Sequence, residues 1–259
     1  MSNEHAETNS EAGATAAEDA GTEPRDPGRI ERIFVEHRAA GTRALMPFVC
    51  AGRPSLESLG DLLVALEEAG ASIVEIGIPF SDPIADGPVI ASAMHEALVA
   101  GVTPEGVFEA VAAARDRVKL GLVAMVSVSL VQRAGGPGAF VERAAEAGFD
   151  GFIFPDAPLE ESDELVAAAD AHGLTCSLLV SPSTPPERAR AIAERCSGFV
   201  YLLARSGITG ERSEAPEVEA PVQAIREVAQ TPIAVGFGIS TAEHVRSVVA
   251  HADAEQILL

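Results

Sequence analysis

Residues 75–88 read Glu75-Ile76-Gly77-Ile78-Pro79-Phe80-Ser81-Asp82-Pro83-Ile84-Ala85-Asp86-Gly87-Pro88. Glu75 interrupts an apolar run, Ser72 to Ile78, with the length and composition of a buried strand. Asp86 follows in a loop stiffened by Pro79, Pro83 and Pro88. A carboxylate at the end of a buried strand costs free energy unless it is paired, hydrated or used. Taken singly, Glu75 reads as a satisfied core residue, and Asp86, followed by Gly87, as an ordinary turn residue. Together they are two carboxylates on either side of one rigid turn, and the rest of the chain decides what they are for.

Outward from this segment, short apolar runs alternate with segments of helical period. Strands are expected near 44–50, 72–78, 120–126, 151–154, 174–180, 198–203 and 232–236. Amphipathic helices are expected near 55–69, 89–99, 104–117, 137–147, 160–172, 184–196, 216–229 and 240–250. This βα alternation implies a parallel sheet, either open and doubly wound or closed into a barrel. The first strand lacks a following G-x-G-x-x-G, which speaks against a dinucleotide-binding open sheet. Residues 1–27, rich in Ala, Glu, Gly, Thr and Asp without apolar periodicity, read as a disordered acidic tail, and residues 28–259 as one domain.

The 259 residues carry 39 acidic against 18 basic side chains, a net charge of −21, and their only lysine is Lys119. Such a surface repels nucleic acid and anionic membranes. It resembles the proteins of salt-in halophiles, for in molar salt the Debye length falls to about 3 Å and self-repulsion is screened. No apolar run approaches the roughly 18 residues of a membrane span, and the first 24 residues have no apolar signal-peptide core, so a cytoplasmic protein is expected. Cys50, Cys176 and Cys196 form no C-x-x-C pair and match neither a metal site nor a disulfide framework. Cys50 and Cys176 lie in apolar runs and read as small buried hydrophobes.

Six stretches carry a resemblance. They are Met46-Pro47-Phe48-Val49 with Ala51-Gly52, the Glu75 to Pro88 segment, Ala100-Gly101-Val102-Thr103, Asp156-Ala157-Pro158-Leu159-Glu160-Glu161, Tyr201 to Gly210, and Gly236-Phe237-Gly238-Ile239-Ser240. In this order, over roughly residues 30 to 250, they resemble the tryptophan synthase alpha-chain family. The resemblance implies a (β/α)8 TIM barrel and retro-aldol cleavage of indole-3-glycerol phosphate to indole and glyceraldehyde 3-phosphate. By the same resemblance Glu75 is the general acid and base, and Asp86 accepts the indole N–H. The physics agrees: a desolvated Glu holds a proton near neutral pH, while a loop Asp stays ionised.

The resemblance further implies that Phe48 packs against the indole ring and that Tyr201 neighbours Glu75. Arg205 and Gly207 belong to a closing lid, whose Thr209 and Gly210 reach the substrate. Gly236, Gly238 and Ser240 supply one half of a phosphate site, with Ser240 able to cap the next helix. Asp82, Pro83 and Asp156 face a partner, the tryptophan synthase beta chain, in an alpha2beta2 heterotetramer. Pyridoxal phosphate belongs to that partner; this chain is expected to carry no cofactor and no metal.

Three departures stand out. Ser127 and Ser129 occupy positions where the family usually has Tyr and Asn, and Arg53 stands where it commonly has Asp. After Ala250 the family would continue with an apolar eighth strand, a Gly-Ser dipeptide completing the phosphate site, and a closing helix. Here only residues 254–259 offer an eighth strand, and a ragged one. The reading is therefore a barrel whose eighth βα unit is incomplete, from a truncated or frameshifted sequence. The alternative function is a catalytically impaired allosteric partner of the beta chain.

Overall fold

A computed structural model describes residues 27–83, 86–204, 218–236, 239, 241–252 and 256–258. The tail read over residues 1–27 thus lies, apart from Pro27, outside the described residues. The strands are β1 (Ala44–Met46 and Phe48–Cys50), β2 (Ile73–Gly77), β3 (Gly121–Met125), β4 (Gly151–Ile153), β5 (Thr175–Ser177 and Leu179–Val180), β6 (Val200–Leu203), β7 (Ile233–Gly236) and β8 (Gln256–Leu258). β1 is broken at Pro47, which has no N–H for the ladder, although its carbonyl still accepts from Glu75 N at 3.0 Å. β5 is broken at Leu178, whose N–H lies 3.2 Å from the Cys196 sulfur.

Every pairing is parallel, and the ladders return to their starting point. The second half of β1 leads through β2, β3 and β4 to the first half of β5. The second half of β5 leads through β6, β7 and β8 back to the first half of β1. The eight strands therefore form a closed ring. Its register runs Phe48, Glu75, Val123, Gly151, Thr175 on one side and Leu179, Tyr201, Ala234, Gln256, Ala44 on the other. Thr175 precedes Leu179 by four residues and Ala44 precedes Phe48 by four, so one circuit is staggered by eight residues, the shear of a (β/α)8 barrel. β8, read as ragged from sequence, pairs with β7 and β1 and completes the ring.

Alternation along the strands sorts the side chains. Met46, Ile73, Val123, Met125, Ile153, Tyr201 and Ala234 pack together in the barrel interior. Val74, Ile76, Leu122 and Ala124 pack outward with the helices of the first half, and Val200, Leu202 and Val235 with those of the second. Because both faces are covered, these strands are apolar throughout, as β2 and β3 are.

The helices are α1 (Arg29–Ala40), α2 (Leu59–Glu68), α3 (Pro88–Val99), α4 (Pro104–Ala114), α5 (Val128–Arg133), α6 (Pro137–Ala147), α7 (Asp163–Ala171), α8 (Pro186–Arg195), α9 (Glu219–Arg226) and α10 (Ala242–Ala252). Their sequence signals are local. At α4, Thr103 Oγ1 accepts from Gly106 N at 3.2 Å and Pro104 takes the first position. α6 buries Phe140, Val141, Ala144 and Ala147 on one stripe and stops at Gly148, whose φ of 93° suits glycine. α1 and α5 lie where the sequence pattern predicts no helix. α1 closes the barrel floor: Ile30 and Phe34 join the interior cluster, and the Phe34 and Phe199 rings lie 5.9 Å apart. A Cβ on Gly121 would meet Ile30 Cδ1 at 2.5 Å, so the plug packs directly against the backbone there and a larger residue would have to displace it.

Asp150, just before β4, ties the floor together. Its carboxylate accepts from Arg29 Nε at 3.1 Å, Arg115 Nη1 at 3.1 Å and Leu122 N at 2.9 Å. Burial pushes Asp150 up and Arg115 down despite their pairing, so desolvation outweighs attraction at both ends. In such a network, removing one partner is costlier than the network is worth. Asp150→Ala is expected to lower unfolding free energy by about 3 kcal/mol, seen as a lower denaturant midpoint at unchanged slope.

Candidate active site

The C-terminal ends of the strands form the mouth of the barrel, where this fold places its chemistry. Glu75 lies on the inward row of β2 between Ile73 and Gly77, and only 2% of its surface is exposed. Among the described residues its carboxyl has no hydrogen-bond partner. Burial first, and the nearby Asp86 second, push its pKa up to about 8. Near neutral pH Glu75 therefore holds a proton that it can give and take back.

Asp86 ends the β2 loop, with its N–H bonded to Pro83 O at 3.2 Å and Gly87 capping α3 behind it. It is half-buried, and burial raises its pKa as well, so it is less open to water than a loop aspartate read from sequence. Tyr201, on the inward row of β6, is 3% exposed and pushed well above the usual tyrosine range by burial, then by Glu75 and Asp86. Those shared effects put Glu75, Asp86 and Tyr201 in one electrostatic neighbourhood.

Phe48 pairs in register with Glu75 from β1, and its ring lies over Gly77. A Cβ on Gly77 would stand 2.5 Å from Phe48 Cζ and 2.6 Å from Cε2. Gly236 ends β7 opposite Leu203 and accepts from Ala204 N at 2.6 Å, which puts it at the same mouth. Phe48, Glu75, Asp86, Tyr201 and Gly236 are thus brought together. Asp82 is exposed on the outer part of the loop, bonded to Ser81 Oγ at 2.7 Å, and Pro83 is half-buried beside it. Arg205, Gly207, Thr209, Gly210, Gly238 and Ser240 lie outside the described residues.

Three features escaped the sequence reading. At the start of α10 the cap bond belongs to Thr241, whose Oγ1 accepts from His244 N at 3.1 Å. Cys50, buried at 7% exposure as expected, also borders the site. Its thiol is pushed up to about 11 by burial, eased by Arg53 and raised further by Asp86. Arg53 itself pairs with Glu96 at 2.6 Å on the surface. Asp156, read as partner-facing, accepts from Ser127 Oγ at 2.7 Å and Val128 N at 2.9 Å. Two serines and a helix start too short for a periodic signal gave no sequence cue to that contact.

Fold and site together define a (β/α)8-barrel protein with a buried carboxyl of raised pKa at its mouth. The sequence profile of the family described as "Tryptophan synthase alpha chain" matches residues 34–257. The tryptophan synthase alpha chain of Gloeobacter violaceus is 43% identical over 225 residues, covering 86% of this chain and 81% of that protein. That of a Synechococcus strain is 44% identical over 216 residues, covering 83% and 80%. Among solved structures, tryptophan synthase of Mycobacterium tuberculosis superposes with a TM-score of 0.82 at 34% identity, covering 90% of this chain and 89% of that one. The tryptophan synthase alpha subunit of Legionella pneumophila gives 0.80 at 31% identity, covering 90% and 86%. The chain belongs to the tryptophan synthase alpha-chain family.

Two outcomes follow from the geometry. Gly77→Ala forces the Phe48 ring into the mouth and is expected to lower kcat/KM for the site's substrate at least tenfold, with a stability cost of about 1–3 kcal/mol measured by denaturation. The second concerns pH. Glu75 titrates near 4.5 when unfolded and near 8 when folded, so the folded state binds more protons between those values. Its contribution to stability is complete below pH 4.5 and is lost as pH rises through 8. Glu75→Gln, which cannot ionise, is expected to be more stable than the parent at pH 8–9, with the difference vanishing toward pH 4.5 in thermal melts.

Proposed function

We propose that this chain cleaves indole-3-glycerol phosphate to indole and glyceraldehyde 3-phosphate, as the alpha component of an alpha2beta2 tryptophan synthase in the cytoplasm. The observation that carries the reading is Glu75: a buried carboxyl on an inward strand row, pushed up to about 8, beside Asp86 at the mouth of the barrel.

The chemistry closes on one proton. Glu75 gives its proton to indole C3, and Asp86 accepts a hydrogen bond from the ring N–H as positive charge develops there. Glu75, now a carboxylate, removes the proton of the glycerol hydroxyl next to the ring. The O–H electrons form the aldehyde C=O, the bond from C3 to the glycerol carbon breaks, and its electrons restore the indole ring. Glu75 ends as it began. Phe48 provides an apolar face for the ring. The phosphate end is placed toward Gly236 and the start of α10, where a helix N-terminus suits an anion.

No cofactor of this chain enters that scheme; pyridoxal phosphate is supplied by the beta chain, which consumes the indole. The acid-rich, lysine-poor composition favours a high-salt working environment. Asp82 and Pro83, on the outer rim of the loop that carries Asp86, are suited to face the beta chain.

Release of indole from indole-3-glycerol phosphate, followed in molar salt with and without a beta chain, tests the reading. Glu75→Gln is expected to reduce turnover by at least a thousandfold while leaving affinity for the beta chain within twofold. Turnover retained in that variant removes Glu75 from the mechanism. A folded parent chain that stimulates the beta chain but releases no indole would make it a purely allosteric partner.

A further inference from the structure

β3 runs beside the strand of Glu75, and its register sets Val123 against Glu75 and Met125 against Gly77. The inward row of β3, Val123 and Met125, continues into Ser127, which is 7% exposed at the mouth. Its one donor is used: it donates to Asp156 Oδ2 at 2.7 Å, and it accepts from Ser129 N at 3.2 Å. The other Asp156 oxygen accepts from Val128 N at 2.9 Å. Asp156 itself is an exposed residue of the loop after β4.

Each oxygen of a rim carboxylate thus accepts a bond from within the chain, one of them from a buried side chain at the end of an inward row. The contact joins two loops 29 residues apart in sequence. It also anchors α5, which has only six residues and no capacity to hold its own position. A plain helix cap would need only the bond to Val128 N. The bond to Ser127 instead ties the rim to the cavity wall.

We propose that Asp156 and Ser127 act as one positioning unit that holds the β3–β4 side of the mouth at the spacing the indole ring requires. In this proposal Asp156 serves the mouth of the barrel rather than the partner face that the family resemblance implies for it. This inference rests on the lyase reading above.

Calorimetric binding of a non-cleavable indolyl-alkyl phosphate to the full chain tests the unit without turnover. Ser127→Ala and Asp156→Ala are each expected to weaken binding about tenfold, and the double variant to be no weaker than either single, the signature of one shared interaction. Ser127→Thr, which keeps the hydroxyl, restores binding, and affinity for the beta chain stays within twofold throughout. Additive losses, parental binding by Ser127→Ala, or loss of beta-chain affinity confined to Asp156→Ala would each overturn the proposal. Should Asp156→Ala fail to fold, the comparison of Ser127→Ala with Ser127→Thr decides alone. A parent chain that binds the analogue but cleaves no substrate overturns only the lyase reading; one that does not bind it overturns both.

Discussion

The closure of eight parallel strands with a stagger of eight residues is the constraint on which everything else depends. A closed ring has no edge, so each inward row ends in a finite interior that side chains must fill. Met46, Ile73, Val123, Ile153 and Ala234 fill it, and α1 seals the floor with Ile30 and Phe34. Among the described residues no helix seals the C-terminal end as α1 seals the floor. A polar group on an inward row near that end is desolvated by the barrel and still within reach of a ligand. Glu75 stands there, and its raised pKa is a direct consequence of the ring around it.

That placement sets function against stability. A carboxyl whose pKa burial raises destabilises the fold at pH values where it would ionise when unfolded. The barrel tolerates Glu75 because the apolar layers between strands and helices are extensive on both halves. The exposed ion pairs add little: Arg117 with Asp61, Arg143 with Glu105 and Arg190 with Glu194 are solvated and screened by salt. The buried Asp150 group is different, since it fixes the geometry of the floor where α1, α4, β3 and β4 meet.

Much of this was legible in the residue order, and the limits have physical causes. Strands such as Ile73–Gly77 and Gly121–Met125 are apolar on both faces, so they stand out as continuous runs. α6 and α8 announce themselves by an apolar stripe and an opening proline. α1 did not, because it follows an acidic tail and buries only Ile30 and Phe34 fully. α5 did not, because six residues are less than two turns and its start is held by Asp156 from another loop. Glu75 and Asp86 were visible as a pair, but the half-burial of Asp86 depends on what the closed mouth packs against it.

The sequence by itself determined the alternation of strands and helices, the acidic surface, and the carboxylates that a strand end and a proline-braced loop present to one place. These follow from period, composition and local stiffness, which are properties of neighbours along the chain. Tertiary structure alone decided that Gln256–Leu258 completes the ring, that burial raises the pKa of Asp86 as well as that of Glu75, and that Asp156 turns toward Ser127. Each depends on groups far apart in sequence meeting in a dry interior or across two loops, where desolvation and hydrogen-bond geometry, rather than residue order, set the energy.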